Sequence, residues 1–517
     1  LSELLENQSP AIQLCLLKSS VLNRFCSPLF DALREHDTAP GQDGIEGGMF
    51  LSWLIKNNLF IIPLDSDNQW FRYHHLFQEM LQRKLKQSMG DEEIEQLHIQ
   101  ASVWFESNGL ITDSIKHALL AGDVERAANI VEEHRYIELE TERWNVVVQW
   151  LNMLPNEIRQ VRPKLLLTEI WICNLQHQLA RAMTLLEQVE VLLRGQPTEP
   201  MERGEFAFLR GYVAYFEGQT ELSRKTLEKA VSLLMGKQTP FLGEAELMLG
   251  LVRCMLGEEV QAIQALQTRI KEIDPAENYL RSRLIAGLAF IYMLCGDLVQ
   301  ARLEAQRLLQ VAKKHDMRLA EAWSYYFIAC TQLHTGDLEG AAVTFAQTVA
   351  LRYMLEPMAA VDALAGLSLT QQLMQFDDDA AKTCHQLQEF ALELNETEFL
   401  SMAHSCQGRL ALLRGDLTKA AAWAQSAKEV PAPSTIFMWL EVPSITRARV
   451  LIATETRKNL EDAIELLRTI NQINEECRFT CQMIEVSVLK SLALEKLGRE
   501  DDALKCLTEA VNLAGPG

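Results

Sequence analysis

GDLVQA (Gly296–Ala301), GDLEGA (Gly336–Ala341) and GDLTKA (Gly415–Ala420) are one phrase written three times, and reading it decides the fold. Close relatives are GDVERA from Gly122 and GEEVQA from Gly257. Weaker ones are HQLARA from His177, GQTELS from Gly218, FDDDAA from Phe376, KNLEDA from Lys458 and GREDDA from Gly498. From His177 onward the starts are separated by 39 to 43 residues, a fixed period of the kind that marks a repeat architecture. Each phrase stops one helix and starts the next. Glycine takes the left-handed position that ends a helix, and the following Asp accepts a bond from the free N–H groups of the next helix. Each repeat is therefore expected to be a helical hairpin.

Small residues recur around the turn. Gly211, Gly250, Ala289, Ala329 and Gly408 lie seven residues before it, and Ala262, Ala301, Ala341, Ala381, Ala420, Ala463 and Ala503 lie five after it. Two antiparallel helices can approach closely only where both side chains are small. Leu369 and Leu451 break the first rule, so their hairpins are expected to pack more loosely or in another register. The offsets resemble those of the tetratricopeptide repeat, whose usual period is about 34 residues. That resemblance implies an all-α, right-handed superhelix of stacked hairpins with a concave, ligand-receiving inner surface.

Composition agrees. Hydrophobic residues are 48% and charged residues 23% of the 517, enough to bury a core and to fill several domains or one long array. The formal charge of −21 repels a phosphate backbone, so this segment is not expected to bind nucleic acid directly. The 11 cysteines are dispersed with no CxxC pair, fitting small buried hydrophobes in a reducing, cytoplasmic setting. Leu1–Gln8 has neither a basic start nor a long apolar run, so no signal peptide is expected, and the longest apolar run, Leu284–Cys295, is too short for a membrane span. A start at Leu1 reads as a fragment of something longer.

The amino-terminal part differs. Ser27-Pro28, Ala39-Pro40-Gly41 and Gly47-Gly48 punctuate short segments, and Leu59–Leu64 and Gln69–Tyr73 read as strands around the turn Asp65–Asn68. Helices followed by a hairpin point to a small winged-helix-like domain at 1–87. A helical arm with the first hairpin at 88–164 and the superhelix at 165–517 complete the expected organisation.

The stretches NLFIIPLDSDNQWFRYHHLFQEMLQRKL (Asn58–Leu85) and WFESNGLITDSIKHALLAGDVERAA (Trp104–Ala128) resemble the large ATP-dependent LuxR-type transcription activators, the MalT-like signal-transduction ATPase regulators. In that family an ATPase module precedes a winged helix, a superhelical sensor and a DNA-binding helix-turn-helix. The specific phrases lie within 1–134, and the rest resembles the family through repeat architecture. The chain holds no GxxxxGK[ST] phosphate loop and no basic helix-turn-helix after AVNLAGPG. The resemblance thus implies a winged-helix and sensor portion without cofactor, ATP and DNA belonging to segments outside it.

Catalytic chemistry finds little support. His74-His75 are adjacent and point about 100° apart on a helix, too far to share an ion. His98, His117, His334 and His404 lack a second ligand at helical spacing, so no metal site is expected. Asp91-Glu92-Glu93, Asp377–Asp379 and Asp501-Asp502 read as helix starts, where free N–H groups favour negative charge. No GxSxG elbow occurs, so no enzyme is expected. The tetratricopeptide offsets turn Phe208, Tyr212, Tyr215, Arg283, Phe290, Trp323, Tyr326 and His334 inward. Such aromatic and guanidinium groups suit a sugar, nucleotide or other polar metabolite, although stacked helices need large side chains as well. The function expected is effector sensing, with an inducer or regulatory protein as partner, no membrane, and self-association of the activated full-length protein. The alternative is a scaffold whose groove receives a peptide or protein.

Overall fold

The computed structural model describes residues 8–34, 45–57, 59–194, 199–274, 276–427 and 440–515. It forms two compact units, one comprising Leu1–Glu138 with Arg143–Leu166 and the other Leu139–Glu142 with Leu167–Gly517. Residues expected as an arm at 88–164 thus fall largely with the winged-helix residues.

In the first unit, helices Pro10–Ser19, Ser27–Ala32 and Gly47–Lys56 precede the antiparallel strands Ile61–Pro63 and Phe71–Tyr73. The strands are shorter than the sequence pattern implied. Asp65 closes the turn by accepting from the Gln69 N–H at 2.8 Å, and Phe25 pairs with Phe71 as an isolated bridge beside the hairpin. Phe25, Phe30, Phe50, Leu54 and Tyr73 are buried beneath it. His74 caps the helix His75–Ser88, with its N–H on the Phe60 carbonyl at 2.6 Å. The expected break at Ala39-Pro40-Gly41 lies outside the described residues.

His98 and His117 do find partners, in each other. Helices Asp91–Ser107 and Ile111–Leu120 bring their Nδ1 atoms to 2.9 Å, a cross-helix pairing invisible to spacing along one helix. Burial pushes both imidazoles down to about 4, so they are neutral at pH 7. The unfolded chain takes up these protons below its ordinary value of about 6.5, and stability present above that pH is lost as the pH falls toward 4. We expect acid to cost the first unit roughly 3 kcal/mol per imidazole over that window. His98→Leu/His117→Phe should flatten the loss in urea titrations at pH 7, 6, 5 and 4.

The second unit is a run of hairpins. The helix Pro163–Leu175, which belongs to this unit from Leu167 onward, is followed by Leu179–Arg194; then Pro200–Phe216 pairs with Thr220–Leu234, Phe241–Met255 with Glu259–Glu272, and Asn278–Leu294 with Leu298–Lys314. Arg318–His334 with Leu338–Ala350, Pro357–Leu373 with Asp377–Leu394, Thr397–Leu413 with Leu417–Ser426, Pro443–Ala453 with Arg457–Cys477 and Thr480–Lys496 with Glu500–Ala514 follow. The architecture is an all-α, TPR-like superhelix, as expected. At the turns Gly218, Gly257, Gly296, Gly336, Gly415 and Gly498 have positive φ. Asp297, Asp337 and Asp416 accept from the N–H of Gln300 at 3.0 Å, Gly340 at 3.1 Å and Lys419 at 3.1 Å.

Two turns were misplaced by the phrase search. The left-handed residue is Gln375 rather than Phe376, and Glu455 rather than Lys458; neither is glycine, which hid them. In the corrected register the small residues seven positions earlier are Ser368 and Ala448, both fully buried, so Leu369 and Leu451 break no rule and the expected loosening does not follow. The same slip made Ala381 a packing residue. Ala381 is exposed and Ala380 is the buried one; likewise the position five after Glu455 is the buried Leu460, and Ala463, also buried, lies eight after it.

The unit also closes on itself. A Cβ at Gly257 would lie 3.2 Å from the Arg478 guanidinium and one at Gly296 would lie 3.0 Å from Thr480. The Cys481 thiol donates to the Met293 carbonyl at 3.8 Å, and the rings of His177 and Phe399 are 5.5 Å apart. Early and late hairpins therefore enclose a common interior. Among the described residues all the cysteines are free, and no helix is long and apolar enough to cross a membrane.

Candidate functional site

Inside the second unit, the first helices of consecutive hairpins converge on a cavity of ≈ 80 Å³. Trp171 comes from Pro163–Leu175, Tyr212 and Tyr215 from Pro200–Phe216, and Glu244 from Phe241–Met255. Arg283 and Phe290 come from Asn278–Leu294, Trp323 and Phe327 from Arg318–His334, with Glu356 just before Pro357–Leu373. The convergence follows from the repeat: the alanine-bearing second helix packs against the first, leaving the large side chains of the first to face the interior.

Of the residues expected to face inward, Tyr212, Tyr215, Arg283, Phe290 and Trp323 line this cavity together. Phe208 lies behind them, fully buried against Trp171 and Phe241 at ring separations of 5.4 and 5.7 Å. Tyr326 is also fully buried, donating its hydroxyl to Asp362 at 2.7 Å. Asp362 accepts in turn from the Leu440 N–H at 2.8 Å, and burial raises its carboxyl to about 7. His334 lines a second cavity of ≈ 340 Å³ with Arg409, Arg449, Cys481 and Glu485.

Helical offsets pick out the aromatic and basic groups but not the carboxylates beside them. The Arg283 guanidinium lies 2.7 Å from Glu142 and 3.3 Å from Glu244, and the Tyr279 hydroxyl donates to Glu244 at 2.9 Å. Glu142 belongs to the short segment Leu139–Glu142 of this unit. It also accepts from the N–H groups of Leu319 at 2.6 Å and Ala320 at 3.2 Å, at the start of the helix Arg318–His334, where a negative charge is favoured. Burial still raises its carboxyl above the usual range, against the pull of Arg283 and those N–H groups. Glu356 accepts from Trp323 Nε1 at 2.8 Å, and burial pushes it up to about 7. Two carboxylates thus pair with one guanidinium, and a third, Glu356, lines the same interior beside Trp323.

In the first unit, Glu106, Glu133 and His134 offer ligand atoms within 4.8 Å of one another. Glu106 is already held by Arg126 at 2.5 Å and lies 3.5 Å from His134 Nε2. The arrangement reads as an ion-paired surface.

Residues 204–517 match the family model of the MalT-like TPR region and residues 1–93 that of the MalT winged helix domain. The HTH-type transcriptional regulator MalT of Serratia proteamaculans (strain 568) is 24% identical, the match covering 99% of this chain and 56% of that protein. The protein of the same name from Yersinia pestis (strain Pestoides F) is 22% identical over the same shares, 99% and 56%. The chain spans about half the length of these curated relatives. Its fold is similar to that of a signal transduction ATPase with numerous domains and a tetratricopeptide repeat sensor from Pyrococcus horikoshii. The TM-score is 0.50 at 14% identity, covering 82% of this chain and 64% of that one. With one family model spanning most of the repeats and another the amino-terminal helices and hairpin, the chain belongs to the MalT-like regulator family, of which it carries the winged-helix and TPR regions.

Proposed function

We propose that the repeat unit is the effector-sensing region of a cytoplasmic transcription regulator, and that a small polar inducer binds in its interior. Binding there shifts the full protein toward an open, self-associating state, and the ATPase and DNA-binding steps belong to modules outside this chain. The observation that carries the reading is the aromatic and carboxylate-lined cavity, whose walls come from hairpin after hairpin between Pro163 and Leu373. A ligand touching so many repeats favours one relative arrangement of them over another, and differential affinity is all that a switch requires. Coupling of about 1–3 kcal/mol is typical.

A thermal-shift screen of polar metabolites tests this. At least one compound is expected to raise the melting temperature of the wild-type chain, with its affinity reduced tenfold or more in Trp323→Leu. No stabilising compound, together with capture of a specific protein or peptide by the same chain, would replace the reading with that of a protein-binding scaffold.

A further inference from the structure

The interior cavity carries an imbalance of charge. Among the described residues Arg283 is the only basic one lining it, and that guanidinium already serves Glu142 and Glu244. Glu356, which feels Arg283 only at longer range, accepts from the neutral indole N–H of Trp323. The rest of the lining is apolar: the rings of Trp171, Tyr212, Phe290 and Phe327 stand around the same space as Trp323 and Glu356, together with aliphatic side chains such as Leu247 and Met248. A carboxylate or phosphate entering here would meet two lining acids whose only nearby guanidinium is engaged. A cation would meet ring faces, which attract positive charge, and a carboxylate lacking a guanidinium of its own.

We propose that this cavity recognises a protonated amine, seating an alkylammonium head group beside the Glu356 carboxylate, against the aromatic wall that Trp323 and Phe290 form in edge-to-face contact at 6.3 Å. The space sets the size of the group. At ≈ 80 Å³ it is smaller than the roughly 150 Å³ cavity that admits benzene, so it takes the charged end of a ligand whose remainder extends along the interior. The groups facing Glu356 are Glu244, Arg283 and Tyr212, with Glu142 behind Arg283. An ammonium bound beside Glu356 requires that carboxyl to be ionised, so its affinity rises as the pH is brought from 6 to 8, across the value of about 7 that burial imposes.

The inference rests on the reading of the interior as a ligand site, and the test separates the two. Propylammonium, propanol and propionate are titrated into the whole chain by calorimetry at pH 8. Propylammonium is expected to bind at least tenfold more tightly than propanol, propionate not to bind, and Glu356→Gln to reduce propylammonium affinity tenfold or more. That substitution keeps an acceptor for the Trp323 N–H. Should it fail to fold, Trp323→Leu serves, removing the ring face with the same expected loss. Propanol binding as well as propylammonium, or an unchanged propylammonium affinity in Glu356→Gln, overturns the amine. Absence of propylammonium binding, alongside an uncharged compound from the metabolite screen that loses affinity in Trp323→Leu, overturns the amine and leaves the sensor reading standing.

Discussion

Replacing Arg283 by alanine will destabilise the repeat unit by about 3–5 kcal/mol, the usual cost of removing one partner from a buried ion pair. The Arg283 side chain is 5% exposed and that of Glu142 2%, so water cannot take over the abandoned charge. Two N–H groups at the start of Arg318–His334 hold part of Glu142, which keeps the loss from growing further. Adding Glu142→Gln to Arg283→Ala should recover part of the loss, because the amide oxygen keeps the N–H partners without the charge. Urea denaturation of the single and double variants checks both statements. A cost below about 1 kcal/mol for Arg283→Ala would place this pair among ordinary surface bridges.

Gly211→Val is expected to cost about 3 kcal/mol through overpacking. A Cβ at Gly211 would lie 2.7 Å from Leu227 Cγ and 2.9 Å from Thr226 Oγ1, and Leu227 is fully buried with nowhere to turn. The helices Pro200–Phe216 and Thr220–Leu234 would have to separate. Gly336→Ala is the contrasting case: nothing lies within 4 Å of its Cβ position, and only its φ of 78° opposes a side chain. A cost of about 1 kcal/mol follows from the left-handed backbone alone. Thermal or urea midpoints of the two variants should differ accordingly.

The hairpins were legible because their turns are built from residues with one conformational purpose. Gly296, Gly336 and Gly415, each followed by a capping Asp, fixed helix ends and pairing at once. Gln375 and Glu455 take the same left-handed backbone without glycine, so the phrase search slid past them and created apparent exceptions at Leu369 and Leu451. Inward-facing aromatics followed from helical offsets, but offsets do not say which of two buried residues borders empty space. Phe208 and Tyr212 share one helix face, and only packing against Trp171 and Phe241 separates the wall from the core behind it. Glu142 was beyond reach, since it meets Arg283 across 141 residues of chain. Glu244 and Glu356 carry no signal along the chain, since a glutamate on or beside a helix is commonplace, and only the three-dimensional arrangement brings them to one cavity.

Ligand contact is expected from the first helix of each hairpin. Hydrogen–deuterium exchange, with and without the most stabilising compound from the metabolite screen, tests this directly. Protection is expected in Pro200–Phe216, Phe241–Met255, Asn278–Leu294 and Arg318–His334. Protection confined to Thr220–Leu234, Glu259–Glu272, Leu298–Lys314 and Leu338–Ala350, with the inner helices unchanged, would contradict it.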